Sequence, residues 1–181
     1  MLIFSMRDST LGVNVKSFAR ALASFSAVSA LVLTATGTAQ AATAAPDATI
    51  VSLCYRAHVA GVGWETKPTC GGWSGTKGQN RAIEALEITA YGVGWFCAQA
   101  HTRNVGWGPK ETCEEGGKTI TIGTTGQNRP MEAIRFSSTK TVWANAHVQN
   151  QGPTGFSIGT WIEVGTTGKN QNLEAISMSF H

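Results

Sequence analysis

GTTGQNRPMEAIRF, residues 123–136, recurs in near copy as GTKGQNRAIEALEI at 75–88 and as GTTGKNQNLEAISM at 165–178. Each copy sets two glycines three apart and an Asn two residues past the second glycine. After a short polar step comes Glu-Ala and then an aliphatic residue. Self-similarity of this kind, at a period of about 45 residues, marks structural units in tandem and governs how every other segment is read. Further out, an Ala-His pair recurs upstream of the turn, with His58, His101 and His147 spaced by 43 and 46 residues. The Glu of the Glu-Ala pair falls at Glu84, Glu132 and Glu174, spaced by 48 and 42. Both ends of the unit therefore repeat, and the variation in length falls in a central loop, where insertions cost least. The units run over about 50–90, 91–138 and 139–181.

The first unit opens with Val51, Leu53, Tyr55, Ala57 and Val59 on one face and Ser52, Arg56 and His58 on the other. Period two over this length predicts a strand with one buried face. Residues 93–101 and 142–148 repeat it, with Ala98 and Ala144 aligned to Tyr55. A Gly-rich corner follows, Gly63-Trp64 and Gly106-Trp107, and in the third unit Gly152-Pro153. A second strand is expected at 118–122 and 159–164, and a last one at 83–88, 131–136 and 173–180. No segment has a helical period with caps, and the 21 glycines mark turns. The chain is predicted to be all-β. Three tandem β units are expected to close around a pseudo-threefold axis, because closure removes exposed sheet edges. A β-prism and a β-trefoil both satisfy this, and the long, cleanly alternating first strand favours the prism.

Residues 1–41 carry Arg7, Lys16 and Arg20, then the apolar run ALASFSAVSALVL at 21–33, then Ala39-Gln40-Ala41. That is the layout of a secretory signal peptide, followed by a linker at 42–49. The run is shorter than the ~20 apolar residues of a spanning helix, so membrane insertion is not expected. Three of the 14 basic residues and one of the 11 acidic ones lie in this leader, which leaves the rest near neutral. With no basic cluster remaining, nucleic acid is not an expected partner.

Cys54 and Cys70 stand four residues before and twelve after His58, and Cys97 and Cys113 keep the same offsets from His101. In the third unit those offsets hold Trp143 and Gly159, so both cysteines are missing together. Four cysteines allow three connectivities. Joint presence and joint absence predict Cys54–Cys70 and Cys97–Cys113, as suits an exported chain. The rival, a zinc site, lacks the close cysteine spacing of a knuckle.

At these anchors, Ala-His-Val, Gly-Trp, GTTGQN and Glu-Ala-Ile, the chain resembles the clostridial hydrophobic W repeat family. Its three-unit layout behind a leader is similar to the small secreted Streptomyces hemagglutinins, lectins that recognise L-rhamnose and D-galactose. The resemblance implies an exported, carbohydrate- or wall-facing binding protein without catalysis and without a cofactor. Pro153, where the other units have Trp64 and Trp107, departs from the pattern.

The residues themselves offer a sugar site. A pyranose presents an apolar face and a ring of hydroxyls, so it needs an aromatic plane beside amides or carboxylates. Trp64 and Trp107 are candidates for the plane, and a Trp in a strand corner also serves as core. Gln79, Asn80, Gln127, Asn128 and Asn170 are candidate hydrogen-bonding groups, and the repeated Asn is equally a turn former. Glu84, Glu132 and Glu174 could accept from a hydroxyl pair or satisfy backbone donors, and His58, His101 and His147 could touch ligand or hold structure. Glycoside hydrolysis needs two carboxylates of different character at one bond, whereas this chain repeats one per unit. No catalytic residue is expected.

Overall fold

The computed structural model describes residues 49–181, so the expected signal peptide and nearly all of the linker lie outside the described residues. Twelve strands and no helix occur among them. The first copy holds β1 (Ser52–Val59), β2 (Gly63–Trp64), β3 (Thr69–Cys70), β4 (Trp73–Gly75) and β5 (Ile83–Tyr91). The second holds β6 (Trp95–Thr102), β7 (Gly106–Trp107), β8 (Thr112–Glu115) and β9 (Thr119–Gly123). Strand β10 (Met131–Val148) runs from the second copy into the third, which adds β11 (Gly152–Gly165) and β12 (Leu173–Phe180).

All pairing is antiparallel, in two sheets. One has the order β2-β1-β5-β9 with β3 also on β1. The other has the order β4-β12-β10-β6-β7 with β11 also on β10 and β8 on β6. Neither sheet closes into a barrel, which the trefoil alternative would require.

The last strand of each copy is bordered by a strand of another copy. β5 of the first pairs with β9 of the second, Leu86 opposite Ile122. The second copy's part of β10 pairs with the third copy's β11, Ile134 opposite Val164. β12 of the third pairs with β4 of the first, Ile176 opposite Ser74. The pairing thus passes from each copy to the next and returns from the third to the first.

The predicted alternation places the core. Leu53, Tyr55, Ala57 and Val59 are buried, as are Phe96, Ala98 and Ala100 and then Val142, Ala144, Ala146 and Val148. Val51, expected on the same face, is 41 % exposed, because β1 begins only at Ser52. Burying a Leu, Ile or Phe side chain contributes roughly 1.5–3 kcal/mol, and the largest fully buried groups come from all three copies. Tyr55 fills space that Ala98 and Ala144 leave to their neighbours. Its hydroxyl accepts from the Met178 N–H at 2.6 Å and donates to the Gly72 carbonyl, so the buried phenol ties β1 to the third copy.

The passage between copies differs with local sequence. Between β5 and β6 the chain breaks at Gly92, whose φ is +69° and where a Cβ would meet the Ile50 carbonyl at 2.6 Å. The matching stretch Ser138–Thr141 has no glycine, and there the chain stays extended through the register shift between Ser137 and Val142. The expected boundary at 138/139 therefore lies inside one strand.

Both expected disulfides form, Cys54–Cys70 and Cys97–Cys113, and each joins residues directly opposite on neighbouring strands. In the third copy the residue opposite Trp143 is Ile158, while Gly159 faces Val142. The alignment of Gly159 with Cys70 and Cys113 is thus corrected by one residue, because the loop there is shorter by one.

Candidate functional site

The repeated residues gather at three junctions between copies. Thr124 N–H bonds the Glu84 carbonyl at 2.9 Å, Thr166 N–H the Glu132 carbonyl at 2.9 Å, and Thr76 N–H the Glu174 carbonyl at 2.8 Å. A GTxG turn therefore does not sit against the Glu that follows it in sequence. It sits against the Glu of the copy before it, with the first copy's turn meeting the third copy's Glu. The leading glycine makes this approach possible. A Cβ on Gly75, Gly123 or Gly165 would come within 2.3 Å of the carbonyl of Glu174, Glu84 or Glu132 respectively. At the junction of the third and first copies the Glu174 side chain also accepts the Gly78 N–H at 2.8 Å.

Each Glu in turn faces the histidine of its own copy. Nδ1 of His58, His101 and His147 lies 3.2 Å from Oε2 of Glu84, Glu132 and Glu174. The oxygen sits off the ring N–H direction, so all three Nδ1 atoms are buried without an aligned hydrogen bond. The Oγ1 atoms of Thr76, Thr124 and Thr166 are likewise buried without a partner. The same two buried, unpartnered polar atoms thus recur at each junction. The carboxylates are themselves nearly covered, with Glu84, Glu132 and Glu174 at 6, 3 and 2 % exposure. They position the histidine and the turn and lie beneath the surface.

The outer rim is made by the other predicted residues. Trp64 lies directly across the strand pair from His58, and Trp107 from His101. The rings meet edge to face at 5.3 and 5.1 Å. Both indoles are half-buried, with the Arg56 guanidinium 5.3 Å from the Trp64 ring and that of Arg135 3.9 Å from Trp107. In the third copy Pro153 takes this place opposite His147, as the alignment predicted, so that junction lacks an indole. Gln79, Asn80, Gln127, Asn128 and Asn170 are exposed. Asn80, Asn128 and Asn170 have φ of 55°, 49° and 53°, a left-handed backbone that Asn tolerates better than most residues, so the repeated Asn forms the turn.

Two further residues bridge copies, and the repeat pattern did not point to them, since they differ at each junction. Arg103 donates to Asn172 Oδ1 at 2.5 Å and to the Asn170 carbonyl at 3.1 Å, and lies 3.6 Å from Glu132 Oε1. Gln149 holds the corresponding position after His147 and donates to Asn80 Oδ1. Their shared place, two residues past the histidine, is the one sequence signal that could have found them.

Among the described residues Cys97, Glu111 and Cys113 come close enough to share a metal ion. Both sulfurs are consumed in the disulfide, which removes the thiolate that binds metal.

No curated protein and no solved structure matches this chain. A family model described as Clostridial hydrophobic W matches residues 58–89. The matched stretch begins at His58 and takes in Trp64, the GTKGQN turn and Glu84, so the residues that build the junctions in the first copy are those in which the chain is similar to that repeat.

Proposed function

We propose that this is an exported, non-catalytic carbohydrate-binding protein whose sites lie at the junctions between copies. The cyclic strand pairing supports a prism-like arrangement of the copies about a pseudo-threefold axis, with one junction wherever a strand of one copy pairs with a strand of the next. The observation that carries the reading is the recurrence, at each junction, of a His-Glu pair with buried, unpartnered polar atoms beneath a turn rich in exposed amides. At two junctions an indole stands beside the histidine. Such a rim offers a pyranose an apolar edge and several hydroxyl partners. Weak sites of this kind combine when the target displays many sugars. The two disulfides are consistent with an extracellular setting, and L-rhamnose and D-galactose are the sugars the resemblance puts first.

The test is a glycan array with hemagglutination inhibited by a free monosaccharide. W107A is expected to lower binding at least tenfold, and P153A to leave it within twofold. Equal effects would remove the junction as the site.

A second reading, a cell-wall or protein-interaction module, has one observation in its favour. Phe156 and Ile158 are exposed and, with Trp143, which lies opposite Ile158 and 5.9 Å from the Phe156 ring, form an apolar surface on strands β10 and β11. Apolar clusters of this kind on a protein surface mark contact areas. Binding to purified wall fragments that free sugars do not compete would favour it.

A further inference from the structure

The three copies differ at one half-buried hydrogen-bonding position just past the Gly-Trp corner. In the first copy the residue is Glu65. Its N–H bonds the Ala57 carbonyl, and its carboxylate bridges β1 and β4. Oε2 accepts the Ala57 N–H at 3.0 Å and the Ser74 hydroxyl at 2.6 Å, while Oε1 accepts the Gly75 N–H at 2.8 Å. In the third copy Thr154 stands there, and its Oγ1 accepts the Ala146 N–H at 3.4 Å. The second copy has Gly108, whose N–H bonds the Ala100 carbonyl at 3.1 Å as Glu65 does with Ala57. Among the hydrogen bonds of the described residues, no side chain replaces the carboxylate at the N–H groups of Ala100 and Gly123.

A depression of about 260 Å³ opens at this place, lined by Ala100, Gly108, Ile122, Gly123 and Thr124. The Thr124 hydroxyl oxygen is buried and unpartnered. Two exposed cations, Lys110 and Arg129, stand on its wall. The first copy therefore fills with its own carboxylate a position that the second copy leaves open to solvent and borders with positive charge. Unpaired backbone donors at the foot of a cationic pocket bind anions, and charge-assisted bonds of this kind are the stronger class.

The geometry points to a carboxylate-binding pocket in the second copy, at the place occupied by Glu65 in the first, and to a uronic acid as its ligand. The carboxylate takes the Ala100 and Gly123 N–H groups, and the threonines of the wall face the ring hydroxyls. The volume lies below the ~300–1,000 Å³ of sites for drug-sized ligands, which suits a single sugar ring. The choice of a sugar rests on the carbohydrate reading above, whereas the carboxylate assignment stands on the exchange of Glu65 for Gly108.

Amide NMR titrations of the protein would test this with D-galacturonate and D-glucuronate, their neutral counterparts D-galactose and D-glucose, and an N-acetylated dipeptide with a free carboxylate. The uronates are expected to shift the Ala100 and Gly123 signals with at least tenfold higher affinity than the neutral sugars. G108E is expected to abolish those shifts. A Cβ there would meet only the Ala100 carbonyl at 3.9 Å, so the variant has room to fold, and slowed exchange of the Ala100 N–H would show that its carboxylate has taken the place. Absence of uronate shifts at these amides, equal affinity for neutral sugars, or binding that survives in a folded G108E would overturn the proposal. Binding of the dipeptide in place of the uronates would overturn the sugar assignment. Uronate binding here with no neutral glycan bound at any junction would support the pocket and remove the junction reading.

Discussion

Tyr55 shows what one side chain does when the copies differ in size at an equivalent position. Its ring occupies core volume that alanines leave free in the other two copies, and its hydroxyl satisfies the Met178 N–H. Y55F would leave that donor buried and unpaired, at an expected cost of about 1–3 kcal/mol, read as a lower urea midpoint with an unchanged slope. Burial holds the phenol above its ordinary 10.0, against a smaller opposing effect of its hydrogen bonds. A group whose folded pKa is raised contributes fully below its unfolded pKa, and that contribution is lost as pH rises through the folded value. The protein is therefore expected to lose stability, as pH rises past the ordinary phenol value of 10.0, more steeply than Y55F does. Parallel loss in the two proteins would take Tyr55 out of the account. The aromatic was visible in the sequence as one member of an alternating face, but its partner Met178 was not, since nothing local says which strand lies over it.

At the scale of elements, the GTxG turn has two glycines under different constraints. Both have positive φ in every copy, yet a Cβ on the first would strike the neighbouring copy's Glu carbonyl, whereas a Cβ on the second meets nothing within 4 Å. G126A is expected to cost about 1–2 kcal/mol, the strain of an L residue in the left-handed region. G123A adds overpacking against backbone, a further ~1–3 kcal/mol, so thermal unfolding should rank it well below G126A. Equal midpoints would mean that the turn does not press on Glu84. Strands, turns and disulfide partners were legible because each depends on local period or on joint presence within a copy. The junctions were not, because the three turns are chemically alike and sequence order alone suggests that Asn80 serves Glu84. Pairing with the preceding copy is settled by how the strands close on one another, and Ser138–Thr141 carries no glycine to announce whether the chain breaks or runs on there. The place of Gly108 is hidden in the sequence for a related reason, since it stands outside the anchors that repeat.

For the whole molecule, the passage of strands from copy to copy makes each unit incomplete alone. β4 belongs to the first copy by sequence and to the third by pairing, β9 to the second and the first, and the C-terminal part of β11 to the third and the second. Local opening of one copy therefore strips a border strand from another, and the described residues are expected to unfold as one cooperative body. The disulfides allow a direct test, because they staple only two of the three copies. Each closes a loop with a sequence separation of 16, worth about 3 kcal/mol in the chain-entropy account. Removing the second copy's bridge as C97S/C113S changes no residue of the first or third. If the copies stand or fall together, native-state hydrogen exchange should show the slowest amides of β1, β6 and β12 losing the same ~3 kcal/mol, since all three exchange through global unfolding. Loss confined to β6 and β8, with Ala57 and Ile176 as protected as before, would mean that the copies open independently and that the exchanged strands add little to the interlock.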